Sequence, residues 1–218
     1  MSTTRVPATP GEFAHYVAHP RFGRRPRLTG LDVFNTPDAR VYCHWHSPIG
    51  VRVPNTAVVA DVSRQRPATV AVTHYFDARR TCRKCSRPFL FFAEEQKYWY
   101  EALAFPLEAD CLECPPCRKS EQKLRAARER YDALLLQTAR TQTDTLELVT
   151  CALGLVESSV FAVKLLPKLR GLLKPLLVDA QGSSYAPARS ALDRLKRIAA
   201  LRAERRTPPR QRRGRRPK

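Results

Sequence analysis

The spacing of the cysteines constrains the fold of this chain more than any other feature, because five of the seven lie within 36 residues. Cys82 and Cys85 form one C-x-x-C pair, and Cys111, Cys114 and Cys117 form two further pairs that overlap at Cys114. A C-x-x-C turn places two thiolates on one side of a tight loop, at about the separation that tetrahedral zinc requires. Two such pairs make a closed site of four soft sulfur ligands, which favours zinc. The sequence therefore predicts a structural zinc site.

The residues alone leave the second pair open between Cys111/Cys114 and Cys114/Cys117. The gap that follows Cys85 is 25 residues in the first case and 28 in the second, and both gaps are slightly long for a zinc ribbon. A set of buried thiols or a redox dithiol is the alternative interpretation. A redox motif is expected beside a βαβ pattern, however, and the flanking sequence does not supply one. Basic neighbours of both pairs would lower the pKa values of the thiols and offset the negative charge of a four-thiolate zinc centre.

The segment around the cysteines also resembles a known family. Its motifs are CRKC at 82–85, FLF at 89–91, EQ at 95–96 followed by aromatic residues, and CPPCR at 114–118. Over residues 80–122 this arrangement resembles the bacterial probable zinc-ribbon domain family, a family of uncharacterised role. The resemblance implies a fold and a zinc ion but no activity. Its C-x-x-C-R ending implies Cys114 and Cys117 as the second pair, with Cys111 as the alternative fourth ligand.

Hydrophobic patterning on either side of the cysteines predicts an α+β protein. Short runs rich in β-branched residues predict strands at 41–46, 56–62 and 68–72. Apolar residues at helical spacing predict helices after residue 120. We therefore predict five parts: an extended Pro/Arg-rich arm (1–30), a mostly β segment (31–80), a small zinc ribbon (81–120), a helical region (121–201) and a disordered basic tail (202–218).

The net charge of +19 is the second constraint on function. The tail alone contains nine Lys and Arg and one Glu, and it has too few apolar residues to order itself. These charges suit contacts with phosphate, so we predict a zinc-binding module for nucleic acid or the ribosome. The alternative is a protein-interaction adaptor whose helical region binds a partner while the tail only solubilises it. The nucleic-acid contacts are predicted at Arg210, Arg212, Arg213, Arg215 and Arg216.

A second metal site is the main feature that would favour an enzyme. In a strand, His44 and His46 point to the same face and could bind metal with Cys43 and His74. We favour ordinary strand histidines, because the sequence offers no convincing set of further ligands. No Ser-His-Asp, phosphate-loop or dinucleotide motif is present, and no small-molecule substrate is evident. We therefore predict a protein that is not an enzyme.

Two clusters near the cysteines have a structural and a chemical interpretation. Glu94 and Glu95 could act as a general acid and base, but carboxylates in the first turn of a helix are favoured by its dipole and are the simpler explanation. Tyr98, Trp99 and Tyr100 could stack on nucleobases. Packing around the zinc is the use that we predict for Trp99.

The sequence contains no segment that predicts a membrane span or a secretory signal. The most apolar window, 146–163, contains two glutamates, whereas a span needs about 20 nearly charge-free residues. Seven cysteines without such a signal favour reduced thiols and a cytoplasmic location. Residues 163–178 combine a leucine stripe with a basic face and could lie on an anionic membrane, but we predict that they pack in a helical core. The stripe consists of Leu165, Leu169, Leu172, Leu173 and Leu176.

Overall fold

The computed structural model describes residues 11–31, 33, 40–178 and 182–206, with side chains described as far as residue 204. The chain divides into two compact units, Met1–Lys119 and Ser120–Lys218. The first unit contains small antiparallel sheets and a short helix, and the second is helical, so the protein has an α+β fold. The strands are β1 (Val58–Val59), β2 (His74–Tyr75), β3 (Ala78–Thr81) and β4 (Pro88–Phe91). The helices are α1 (Ala93–Lys97), α2 (Pro115–Leu136), α3 (Gln142–Glu157), α4 (Leu166–Leu173) and α5 (Tyr185–Arg206).

The centre of the first unit is the antiparallel hairpin of β3 and β4. Ala78 pairs with Phe91 and Thr81 pairs with Pro88, so that residues 82–87 form the turn. Strand β4 is an apolar run, and Phe89, Leu90 and Phe91 are all buried. Both faces of the strand are therefore covered, as expected for a continuous rather than alternating hydrophobic pattern.

Residues 11–31 lie against the free edge of β4. The backbone N–H of Val17 donates to the carbonyl of Pro88 over 2.8 Å, and Val17 forms a parallel bridge with Phe89. Phe13 and Tyr16 are buried beside Leu90 in the same cluster of side chains. This part of the predicted extended arm thus contributes side chains to the core.

The predicted strands between 31 and 80 are shorter than expected. Only Val58–Val59 of the 56–62 run is a strand, residues 41–46 form only an isolated bridge from Cys43 to His74, and residues 68–72 form a loop. The reason lies in Gln65, whose side-chain amide donates to the carbonyl of Val72 over 2.7 Å and accepts from its N–H over 3.1 Å. The side chain occupies the hydrogen-bonding groups that a neighbouring strand would otherwise satisfy.

The second unit is held together by one apolar cluster contributed by α2, α3, α4 and α5. Helix α3 begins with a capping box, in which Thr141 and Asp144 each accept a hydrogen bond from the other's backbone N–H. Its buried face includes Val149 and Leu153, both fully inaccessible to solvent. The leucine stripe of residues 163–178 contributes Leu169, Leu173 and Leu176 to this cluster, so the stripe packs in a helical core.

The basic C-terminal segment begins inside a helix. Helix α5 extends to Arg206 and so includes the first five residues of the predicted tail. Residues 207–218, with the five predicted nucleic-acid contacts, lie outside the described residues. Within the described part of the chain, no helix combines the length and the apolar character that crossing a bilayer requires.

Candidate metal centre

The first cysteine pair lies in the turn of the β3–β4 hairpin. Cys82 follows β3 directly, and its N–H donates to the carbonyl of Arg87 over 2.9 Å. The chain then turns back so that the N–H of Ser86 donates to the carbonyl of Cys82 over 2.8 Å. Ser86 has a φ of 58°, in the left-handed region that a tight turn needs. The hairpin thereby holds the side chains of Cys82 and Cys85 close together.

The second pair lies at the beginning of a long helix. Cys114 immediately precedes α2, and Cys117 is its third residue. Pro115 suits the first helical position because its backbone lacks an N–H group that would go unpaired there. The N–H of Arg118 donates to the carbonyl of Cys114 over 3.0 Å and closes the first turn. The rigid helix start therefore fixes the spacing between Cys114 and Cys117.

The structure brings the four thiols of the two pairs into one cluster. The Sγ atoms of Cys82, Cys85, Cys114 and Cys117 all lie within 4.8 Å of one another. The Sγ atoms of Cys85 and Cys114 lie 3.7 Å apart. Four sulfur atoms at about 2.3 Å from a tetrahedral ion would lie about 3.8 Å apart. The cluster therefore has the donor atoms and nearly the dimensions of a four-coordinate thiolate site.

Cys111 lies outside this cluster although it is close in sequence. Its side chain is buried, and its Sγ donates to the carbonyl of Glu113 over 3.5 Å. Burial raises the pKa of Cys111 to about 12, so that it remains a neutral thiol. Of the two candidates for the fourth position, the structure places Cys117 with the other three sulfurs.

The electrostatics of the cluster favour a thiolate at Cys82. Burial opposes its ionisation, but backbone N–H groups of Cys114, Cys85 and Lys84 donate to the sulfur and lower the pKa of Cys82 to about 6. Burial and the neighbouring sulfurs instead raise the pKa of Cys117. Four thiolates therefore require a cation among them, and the positive end of the α2 dipole supports the second pair.

A charged network orders the residues that surround the cysteines. Arg118 donates to Glu95 over 2.5 Å and lies over the ring of Trp99, with 4.9 Å from Cζ to the ring centroid. His19 Nε2 lies 3.4 Å from the same Glu95 oxygen. Trp99 in turn packs against Phe91 of the hairpin. The network links α1 to the first turn of α2, which carries the second cysteine pair.

Glu94, Glu95 and the aromatic residues 98–100 each had a structural and a chemical interpretation in the sequence. Glu94 lies 3.3 Å from Arg27 and Glu95 pairs with Arg118, so both carboxylates are engaged in ion pairs. Trp99 packs beside the cysteine cluster, as predicted. Tyr100 is buried and donates to the carbonyl of Ala109, whereas Tyr98 is exposed.

The histidines proposed for a second metal site bind backbone carbonyls instead. His44 is buried, its Nε2 donates to the carbonyl of Leu107, and its Nδ1 accepts from the N–H of His46 over 3.2 Å. His46 Nε2 donates to the carbonyl of Glu108 over 3.2 Å. Among the described residues, the cysteine cluster is the only group of three or more side chains placed to hold a metal. No sequence motif marks the contact of His44 with Leu107, because the two residues are 63 positions apart.

The buried His44 predicts acid sensitivity. Burial lowers the pKa of His44 from 6.5 to about 4, so the folded protein holds a neutral ring. The unfolded chain takes up the proton more readily, so this ring's contribution to stability is complete above pH 6.5 and is lost as the pH falls towards 4. We expect His44→Gln to reduce the loss of stability over this pH range by about 2–3 kcal/mol.

This difference can be measured by urea unfolding of both proteins across the pH range. The matched control is His15→Gln, which makes the same substitution at an exposed histidine. An identical pH dependence in His44→Gln and the unmodified protein would contradict the prediction.

The comparison with known families agrees with this geometry. Residues 76–126 match a family model described as a probable treble clef domain. The matched segment includes the hairpin turn with the first pair and the helix start with the second. The expected zinc-ribbon-type domain is therefore confirmed, as a treble clef whose second pair lies on a helix. The match covers 51 of the 218 residues. No curated protein and no solved structure matches the chain.

Proposed function

We propose that residues 76–126 form a structural zinc domain, with the ion held by Cys82, Cys85, Cys114 and Cys117. The observation that carries the proposal is the convergence of four Sγ atoms within 4.8 Å in a treble clef segment. Treble clef domains usually bind zinc, and zinc with four thiolates has no open position for a substrate. The ion would join the hairpin to the helix, which supplies folding energy to a domain with a small core of its own.

The test is elemental analysis of protein purified without chelator. We expect one zinc ion per chain, and a lower unfolding temperature after the ion is removed with a chelator, because a closed site contributes directly to folding. Iron in place of zinc, or no metal, would contradict the proposal. Two zinc ions per chain would instead support the site considered at Cys43, His44 and His46.

Nucleic acid, including ribosomal RNA, is the partner that the charge distribution supports best. Arg83 and Arg87 are exposed in the hairpin turn, and neither guanidinium forms an ion pair with a described residue. Lys119 and Lys123 are exposed on α2. The tail adds the five arginines named above, and a guanidinium fork suits phosphate better than an ammonium group does.

We also propose that the protein is not an enzyme. The carboxylates of Glu94 and Glu95 are paired with arginines, and the four-thiolate site would be closed. A cytoplasmic location, which the reduced thiols favour, also stays a prediction.

Binding is tested by fluorescence anisotropy with a labelled random single strand and a labelled random duplex, over a range of salt concentrations. We expect binding to both, with little sequence preference, because contacts to phosphate carry no sequence information. We also expect affinity to fall steeply as salt rises, since each neutralised phosphate releases a counterion. If neither strand binds at about 150 mM salt, the nucleic-acid proposal fails.

A further inference from the structure

Helices α4 and α5 enclose an apolar groove of about 280 Å³ in the second unit. Its floor is formed by Leu166 and Leu195, which are buried. Gly171 of α4 and Ala199 of α5 are exposed at the groove, and their small size leaves it open to an approaching side chain. Pro167 completes the apolar lining. The groove can therefore accept an apolar side chain from outside the unit.

The rim of the groove is positively charged. Arg170 and Lys174 line it, both are exposed, and neither forms an ion pair with a described residue. The sequence has no acidic residue between Glu157, which pairs with Arg194, and Asp179, which lies outside the described residues. On the α5 side, Asp193 is already paired with Arg189 and Lys196. A ligand for this groove must therefore provide its own negative charge.

These charges disfavour two occupants that the chain itself could offer. Residues 207–218 contain six Lys and Arg and no acidic residue, so the positive rim would repel them. A second copy would present the same cationic surface. A nucleic-acid strand could place phosphates at the rim, but its backbone would not satisfy the apolar floor. The remaining candidate is a ligand that combines apolar side chains with carboxylates.

We propose that the groove between α4 and α5 binds an acidic amphipathic helix of a partner protein. Its apolar side chain would enter between Leu166 and Leu195, and its Asp or Glu residues would pair with Arg170 and Lys174. Apolar anchors at helical spacing are the usual way in which a helix docks in a groove. This interaction is independent of the zinc domain and of phosphate binding, so its failure would leave both proposals intact.

Gly171 allows the groove to be filled without changing any charge. A Cβ atom added at this position would meet no atom within 4 Å. Gly171→Trp should therefore fold normally while its ring occupies the groove. The matched control is Gly171→Ala, which leaves the groove open and improves helix propensity. Circular dichroism and the unfolding temperature of each variant establish that the fold is retained.

The rim is tested by reversing one charge at two nearby places, one within α4 and one directly after its last residue. Lys174 lines the groove, whereas Lys168 is exposed on α4 but does not line it. Lys174→Glu and Lys168→Glu change the net charge of the protein equally. A difference between them therefore measures the position of the charge rather than its amount.

The probe is a displayed library of randomised helical peptides, selected on the full-length protein at about 150 mM salt. We expect the enriched peptides to carry Asp or Glu beside an apolar face and to bind Gly171→Trp and Lys174→Glu at least about tenfold more weakly. Gly171→Ala and Lys168→Glu should bind them almost as the unmodified protein does.

Three outcomes would overturn the proposal. The first is that no peptide is enriched, or that enriched peptides bind Gly171→Trp unchanged. The second is that the protein binds vesicles of an anionic lipid, and that Gly171→Trp weakens this binding but does not weaken the binding of peptides. That result would assign the groove to a membrane surface. The third is a dimer in sedimentation that Gly171→Trp dissociates, which would assign the groove to a second copy.

Discussion

Full-length protein with Cys114→Ser should lose its zinc and the tertiary structure of residues 76–126, whereas Cys111→Ser should keep both. Cys114 lies in the cluster of four sulfurs and belongs to either possible second pair, while Cys111 is buried outside the cluster. Structural zinc contributes about 10–16 kcal/mol to the folding of small domains. This contribution is as large as or larger than the free energy of unfolding of most whole domains, so the loss of one thiolate should unfold the metal domain.

Zinc content and near-ultraviolet circular dichroism measure the two effects separately, because Trp99 packs beside the cluster. Cobalt in place of zinc adds a readout of thiolate coordination. Cys151→Ser is the matched control, since Cys151 lies in the second unit and is not one of the four clustered thiols. If Cys111→Ser loses metal while Cys117→Ser keeps it, the assignment of the fourth ligand is wrong.

Replacing Arg210, Arg212, Arg213, Arg215 and Arg216 by glutamine should remove most of the affinity for nucleic acid. Five phosphate contacts on a duplex give a salt slope of about −4.5, so affinity in the unmodified protein should fall roughly 500-fold between about 50 and 200 mM salt from these contacts alone. The glutamine variant should lack this component. None of the five substitutions falls within Tyr185–Arg206, the described extent of α5.

The matched variant replaces the same five residues by lysine, which keeps the charge but not the guanidinium fork. We expect it to retain most of the salt dependence with somewhat weaker binding. If the glutamine variant binds as tightly as the unmodified protein and with the same salt slope, the folded body rather than the tail carries the site. In that case Arg83 and Arg87 become the next residues to replace.

The parts of the metal centre that could be predicted are those determined by local geometry. A C-x-x-C spacing brings two thiols together whether the turn lies in a hairpin or at a helix start, so Cys82 and Cys85 were assignable from spacing. The choice between Cys111 and Cys117 depended on the C-x-x-C-R motif. Glu95 and Arg118 both belong to the motifs quoted above, but their pairing became visible only in the structure.

The contacts that could not be predicted join residues far apart in the chain. Val17 lies against β4 across 72 positions of sequence, and no motif marks either partner. The strand predicted at 68–72 is absent because the side chain of Gln65 satisfies Val72, which patterning alone does not reveal. His44 was considered as a ligand because its residue type suits metal, but its backbone partner at Leu107 has no sequence signature.

The contact of residues 11–31 with β4 determines how much of this chain would have to be transplanted for the metal centre to work in another protein. A fragment that begins at Phe76, where the family match begins, would leave the outer edge of β4 without Val17 and would deprive Glu95 of His19. An exposed strand edge can pair with other chains and promote aggregation. The portable unit therefore includes at least residues 13–19, and its inheritance as a module would require this segment to be copied with the metal centre.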